Sequence, residues 1–172
     1  MDVKQVVKQW NTVATEVAPV DYAVCGYDYD VAVTAGKIHE LAEVMLQNGF
    51  YLVDLMAVDV KPAIEVVYQF AHVETRCRVM ARAFVENNEI PTISDVYQGA
   101  NWHERETRDF HGVVFVGHPN LEPLILAEED VDLKPLLKDE KSILDVAAIR
   151  RVQPETESAA AKSEASKSQE QS

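Results

Sequence analysis

Apolar residues recur at helical spacing in the first segment. Val3, Val6, Val7, Trp10, Val13, Ala14 and Val17 fall three and four apart, with Lys4, Gln5, Lys8, Gln9 and Asn11 between them. A helix over 3–17 would carry one apolar stripe and pack that stripe on a core. Residues 22–35 are β-branched or aromatic and interleaved with Asp28 and Asp30, which predicts an extended chain of open register. Helical spacing returns at Ile38, Leu41, Ala42 and Met45, with Thr34 placed as N-cap and Asn48-Gly49 as the stop. The runs FYLVDLMAVDV, IEVVYQFAHV and RCRVMARAFV then read as successive strands of a meander. Ile64, Val66, Tyr68 and Phe70 share one face of the second. Cys77, Val79, Ala81, Ala83 and Val85 share one face of the third, opposite Arg76, Arg78 and Arg82 with Met80 and Phe84. Those arginines form either a solvated sheet face or a seat for an acidic partner or tail. After Pro91, TISDVYQGA predicts a third helix capped by Thr92 or Ser94 and broken at Gly99.

Composition narrows the function more than the fold. Sixteen basic against twenty-nine acidic side chains give a net charge of -13, a field that repels polyanions and disfavours nucleic acid as a partner. No apolar run approaches the roughly 20 residues that cross a bilayer, and MDVKQVVKQW lacks an apolar signal core, so a cytosolic location is expected. Cys25 and Cys77 stand apart without a CxxC pair, too few thiols for an iron-sulfur cluster or a zinc knuckle. Buried small hydrophobes are the expectation for both, with a disulfide left open. From Val152 to Ser172 the chain is almost entirely Ala, Ser, Glu, Gln and Lys, which predicts a disordered tail.

The chemistry concentrates in NWHERETRDFHG, residues 101–112. On a helix Glu104 would face Arg108 and Arg105 would face Asp109, exposed pairs worth about 0.2 to 0.5 kcal/mol each, so that replacing Glu104 or Arg108 should matter little. Glu106 lies between Trp102 and Phe110 at i−4 and i+4, a carboxylate on an aromatic stripe that needs water or a partner from elsewhere. His103 and His111 would lie about 12 Å apart along a continuous helix and cannot share one ion. Glu104, Glu106, Asp109 and His111, with His118, remain candidates for a small hydrolase or metal enzyme. Neither a nucleophile nor a glycine-rich oxyanion loop accompanies them.

The longer run NWHERETRDFHGVVFVGHPNLEPLIL resembles the signature of the 30-kDa, or C-type, subunit family of respiratory complex I (NADH:quinone oxidoreductase). That family includes the related subunits of energy-converting membrane-bound nickel-iron hydrogenases. Glu104, Arg105, Glu106, Asp109, Gly112, Gly117, His118, Pro119, Leu121 and Leu126 match the pattern in order and spacing. Arg108 and His111 stand where the family favours an aromatic and an apolar residue. Lys134 and Leu137 replace a histidine and an arginine of an HPLRKD-like run, which leaves open a dehydrogenase or a hydrogenase assembly.

The resemblance implies an α+β fold: N-terminal helices on a mainly antiparallel sheet, a signature helix and an extended C-terminal tail. Residues 1–126 would form the domain, 127–151 an arm contacting partner subunits and 152–172 a polar tail. It also implies a non-catalytic, cofactor-free core subunit on the cytoplasmic side of a membrane complex. Its partners would be a hydrogenase-like large subunit and a small iron-sulfur subunit, with the iron-sulfur clusters and the quinone or nickel-iron centre in those partners. The implied partner interface comprises Trp102, Glu104, Arg105, Glu106, Asp109, Phe110, Gly112, Gly117, His118 and Pro119.

Overall fold

Helix α1 (Val3–Val13) stops short of the apolar spacing that predicts it, in a computed structural model that describes residues 3–149. Val17 belongs instead to strand β1 (Glu16–Pro19), opposite Val31. The switch follows from Thr15, whose N–H and hydroxyl both donate to the Ala32 carbonyl, at 2.9 and 3.0 Å. A β-branched residue gives up little helical stability in exchange. The 22–35 segment is extended only at β2 (Tyr29–Ala32). Before it, Asp21 accepts the Ala23 N–H at 2.8 Å and caps a single helical turn, α2 (Tyr22–Cys25), which Gly26 ends at φ 80°.

Helix α3 (Ile38–Gln47) follows as predicted, preceded by a short 3-10 turn at Ala35–Lys37. Strands β3 (Tyr51–Val58), β4 (Glu65–His72) and β5 (Cys77–Phe84) form the meander. The sheet order is β1-β2-β5-β4-β3, antiparallel except where β2 runs parallel to β5. The parallel pair arises because α3 and two strands intervene between its members, the crossover that parallel pairing requires. On one face Val66, Tyr68, Phe70, Val79 and Ala81 meet Val6 and Trp10 of α1 and Ile38, Leu41 and Met45 of α3. Trp10 packs edge-on against Tyr29 and Phe50, with ring centroids 5.5 and 5.6 Å apart.

Tyr97 reaches into this core and donates its hydroxyl to the Phe50 carbonyl at 2.9 Å. Tyr97→Phe is expected to lower unfolding stability by about 1 kcal/mol, because that carbonyl loses its buried partner. Urea denaturation would show the midpoint falling at an unchanged slope.

The helix predicted over TISDVYQGA is absent. Strand β6 (Glu89–Pro91) pairs in parallel with β7 (Val114–Val116), and residues 92–99 turn between β6 and helix α4 (Ala100–His111). Thr92 and Ser94 do not cap a helix there; their hydroxyls bond each other at 2.8 Å and Thr92 serves Glu104. Helix α4 packs against β3. From Gly117 the chain is irregular, apart from a 3-10 turn at Glu128–Asp130, up to α5 (Val146–Ile149) and returns along its own domain. The Lys138 N–H donates to Asp59 at 2.7 Å, and the Lys61 backbone bonds those of Leu144 and Val146 at 3.0 and 3.2 Å.

The arginine row resolves unequally. Arg82 is held by Asp30 at 2.7 Å and by the Tyr27 hydroxyl at 2.8 Å, whereas Arg78 is exposed beside the Tyr22 ring. Cys25 and Cys77 are free thiols, only Cys77 being buried. The tail expected at 152–172 and the end of the arm lie outside the described residues.

Candidate interaction surface

Helix α4 turns mainly polar side chains inward, Glu104 among them where helical spacing predicts an exposed pair. Its buried positions are Ala100, Glu104, Thr107, Asp109 and His111, while Trp102 is 69% exposed and Glu106 and Phe110 are half-buried. A mostly polar stripe faces inward because loops on both sides bring backbone N–H groups to it, and a carboxylate satisfied in this way can be buried.

Glu104 is 0% exposed. One carboxylate oxygen accepts the Ile93 N–H at 2.8 Å and the other bonds the Thr92 hydroxyl. The expected surface pair with Arg108 is therefore not formed. Burial pushes the Glu104 carboxyl up to about 7, with the Thr92 and Ile93 bonds pulling against it and the charge of Asp95 adding to the rise. His118 lies 3.8 Å away with its side chain fully enclosed. Its Nδ1 accepts the Asn120 N–H at 3.1 Å, which leaves Nε2–H to donate to the Asn101 carbonyl at 3.2 Å. Burial lowers the pKa of His118, so at neutral pH it offers Glu104 no full positive charge. The Gly117-His118-Pro119 turn and Glu104 thus tie the segment before α4 to the segment after β7. Gly117 sits at φ 88°, a conformation that suits glycine.

Asp109 is also 0% exposed, and it does not pair with Arg105. Its Oδ2 accepts three consecutive backbone N–H groups, from Leu124 and Ile125 at 2.8 Å and from Leu126 at 3.2 Å. Burial alone would raise its pKa; these three bonds and Arg108 at 3.4 Å outweigh burial and hold it below the usual carboxylate range. Arg105 works on the same segment, donating to the Glu122 and Pro123 carbonyls at 3.0 and 2.8 Å. Gly112 closes the helix at φ 75°, and Lys134 of the arm packs where a β-carbon would stand.

On the outward side a groove of about 250 Å³ runs between α4 and β3. Residues Asp54 to Ala57 form one wall, Glu106, Thr107, Phe110 and His111 the other, and Leu136 closes one end. Leu136 is positioned by its N–H bond to the Phe110 carbonyl at 3.1 Å. Met56 and Leu136 expose apolar surface at the groove, and Trp102 exposes its ring one turn before Glu106 on α4. Glu106 makes no hydrogen bond or ion pair with the described residues. His111 is 8% exposed and its Nδ1 has no partner among them. Burial lowers its pKa, opposed by Asp59 and reinforced by Lys138.

The four-residue cluster considered as a hydrolase or metal site is dispersed. Glu104 and Asp109 are taken up by backbone donors on separate loops, and only Glu106 and His111 reach the groove. Among the described residues no three His, Cys, Asp or Glu side chains are grouped to hold a metal. Thr92, Ile93, the 124–126 backbone, Asp54 and Met56 complete these arrangements without having shown any signal in the sequence. Each contributes through a contact made across the fold.

A family model described as respiratory-chain NADH dehydrogenase, 30 Kd subunit, matches residues 31–143. The chain belongs to that family. Among its relatives, the C-type subunit of NADH-quinone oxidoreductase from Roseiflexus sp. (strain RS-1) is 40% identical over 94 residues, covering 52% of this chain and 53% of that one. The C-type subunit of F(420)H(2) dehydrogenase from Methanosarcina mazei is 37% identical over 78 residues, covering 44% and 49%. The chain thus spans about half the length of these curated relatives. A chain of the membrane-bound sulfane sulfur reductase, an archaeal respiratory membrane complex, superposes with a TM-score of 0.67 at 25% identity, covering 89% of this chain and 96% of that one. A trypsin-resistant fragment of Nqo5 shares the fold, with a TM-score of 0.56 at 24% identity over 70% of this chain and all of the fragment. No helix among the described residues of this 30-kDa-type protein is long and apolar enough to cross a membrane.

Proposed function

We propose that this protein is a non-catalytic subunit of a complex I-type, membrane-bound electron-transfer complex, docked through α4 and the edge of β3 to a hydrogenase-like large subunit. The orientation of α4 carries this reading. Its inward carboxylates fasten the fold, while Trp102 stands exposed and Phe110 and Glu106, the latter without a partner among the described residues, line a groove. Such a combination of exposed aromatic anchors and a half-buried unpaired charge is what a partner interface completes.

Two isolated cysteines cannot supply the thiolates of a cluster, which supports placing the iron-sulfur clusters and the quinone or nickel-iron centre in partner subunits. Attachment at the cytoplasmic face would then come through those partners, a small iron-sulfur subunit among them. The relatives' names span the donors NADH and F(420)H(2) and the acceptor sulfane sulfur, which favours a scaffold that is indifferent to the redox partners of its complex.

The test is affinity purification of the tagged chain from gently solubilised membranes, with the co-purifying subunits identified and metals counted. Membrane subunits, an iron-sulfur protein and a large subunit are the expected company, and nickel in the large subunit would select a hydrogenase. Recovery of this chain alone would overturn the proposal. Trp102→Ala should leave the melting temperature of the isolated chain within about 2 °C while cutting partner recovery roughly tenfold, as loss of an exposed aromatic anchor does. A variant that destabilises the chain yet assembles normally would contradict the outward role of Trp102.

A further inference from the structure

We infer that the groove between α4 and β3 receives an arginine of the partner subunit, seated between Asp54 and Glu106 and flanked by apolar side chains. This rests on the docking reading and names the chemistry of the docked segment. Asp54 and Glu106 come from opposite walls of the same groove. Asp54 engages one oxygen with the Leu55 N–H at 2.8 Å and faces His103 at 3.4 Å, while Glu106 is uncommitted among the described residues. Carboxylates on two walls of one groove give it a field that attracts a cation placed between them. Beside Thr107 and His111 the walls are apolar, with Met56, Phe110 and Leu136 among them, surface that a flat guanidinium would cover better than a hydrated ammonium.

Independent support comes from His111. Its ring borders the groove, it is 8% exposed, and its Nδ1 is unsatisfied among the described residues. A buried polar atom without a partner is uncommon in a finished structure, and it marks this wall of the groove as one that an incoming segment completes. Guanidinium offers five N–H donors in one plane, enough for both carboxylates, and its face stacks on an aromatic ring such as Phe110. Lysine would satisfy the charge but neither the fork nor the stacking. The net charge of -13 steers a basic segment toward this chain from a distance.

The assembled complex provides the test. A photo-crosslinking residue is introduced at Met56, on the groove wall, and the captured partner peptide is sequenced. In parallel Glu106→Gln and Glu106→Arg are compared for partner recovery, with melts of the isolated variants confirming that they fold. The expected results are a crosslinked peptide with an arginine beside apolar residues, a loss of recovery of about tenfold for Glu106→Gln, and a larger loss for Glu106→Arg. Recovery should return when the partner's arginine is exchanged for glutamate against Glu106→Arg. A crosslinked peptide whose nearest cation is lysine, or which has none, would overturn the inference and leave the docking face standing. A complex that assembles with no crosslink from Met56 would overturn both.

Discussion

Asp109→Ala is expected to release the arm at Leu124–Leu126 and to cost about 3 kcal/mol of unfolding stability. Three backbone N–H groups lose one buried anionic acceptor, and breaking a buried charged hydrogen-bond set typically costs about 3 to 5 kcal/mol, less whatever water recovers. Against a total of roughly 5 to 15 kcal/mol for a domain, that is a large fraction. Asp109→Asn should fall between, since the amide oxygen accepts but the amide nitrogen faces donors. The pH dependence has a definite sign. Because the folded pKa is lowered, the contribution of Asp109 is fully present above the unfolded value of about 3.9 and fades as pH falls through the folded value below it. The gap between wild type and variant should therefore hold from neutral pH to about 4 and close only in stronger acid. Denaturant midpoints measured from about pH 3 to 7, with limited proteolysis at residues 121–137, check both parts; an unchanged midpoint and no new cleavage would contradict the anchor role.

The opposite sign is expected one turn earlier. Glu104 has a folded pKa of about 7 against an ordinary value of 4.5. Its protonated form is favoured in the fold, so its contribution is fully present below about pH 4.5 and is lost as pH rises through 7. The protonated acid can donate to Thr92 while its carbonyl oxygen accepts the Ile93 N–H, an arrangement that a glutamine reproduces. Glu104→Gln should accordingly match wild type within about 1 kcal/mol at about pH 4.5 and exceed it by about 2 to 3 kcal/mol at about pH 8, the span of a shift of this size. Stability curves for the two proteins that run parallel across this pH range would show that Glu104 is ionised in the fold and would refute the assignment.

These two carboxylates explain why so charged a helix can lie inward. Glu104 ties α4 to the segment before it, and Asp109 ties α4 to the arm that follows. The arm in turn places Leu136 at the end of the groove through its bond to Phe110. Structural anchoring and partner recognition therefore occupy opposite sides of one helix, and damage at Asp109 is expected to reach the groove indirectly.

Much of the fold was legible because hydrophobic periodicity reports burial directly. The α3 stripe of Ile38, Leu41 and Met45 and the alternating faces of β5 appear in the structure where the pattern puts them, while the inner strand β4 is buried on both faces. Periodicity misled where a neighbour offered a better contact. The Ala32 carbonyl drew Thr15 and Val17 out of the helical pattern, and Thr92 and Ser94 bond each other and Glu104 instead of capping a helix. On α4 the exposed Glu104–Arg108 pair read from helical spacing does not form: Glu104 faces inward, because the satisfaction of a carboxylate depends on which backbone donors arrive from elsewhere.

The core-forming stripes, the acidic field, the spacing of the ERE to GHP signature and the placing of Glu106 between Trp102 and Phe110 all follow from residue order. Each is a property of residues and their neighbours along the chain. That Glu104 and Asp109 are internal fasteners, that the arm folds back on its own domain, and that Asp54 joins Glu106 across a groove emerged from the three-dimensional arrangement. Those outcomes depend on contacts between segments far apart in the chain, whose hydrogen bonds and desolvation exist only once the fold has closed.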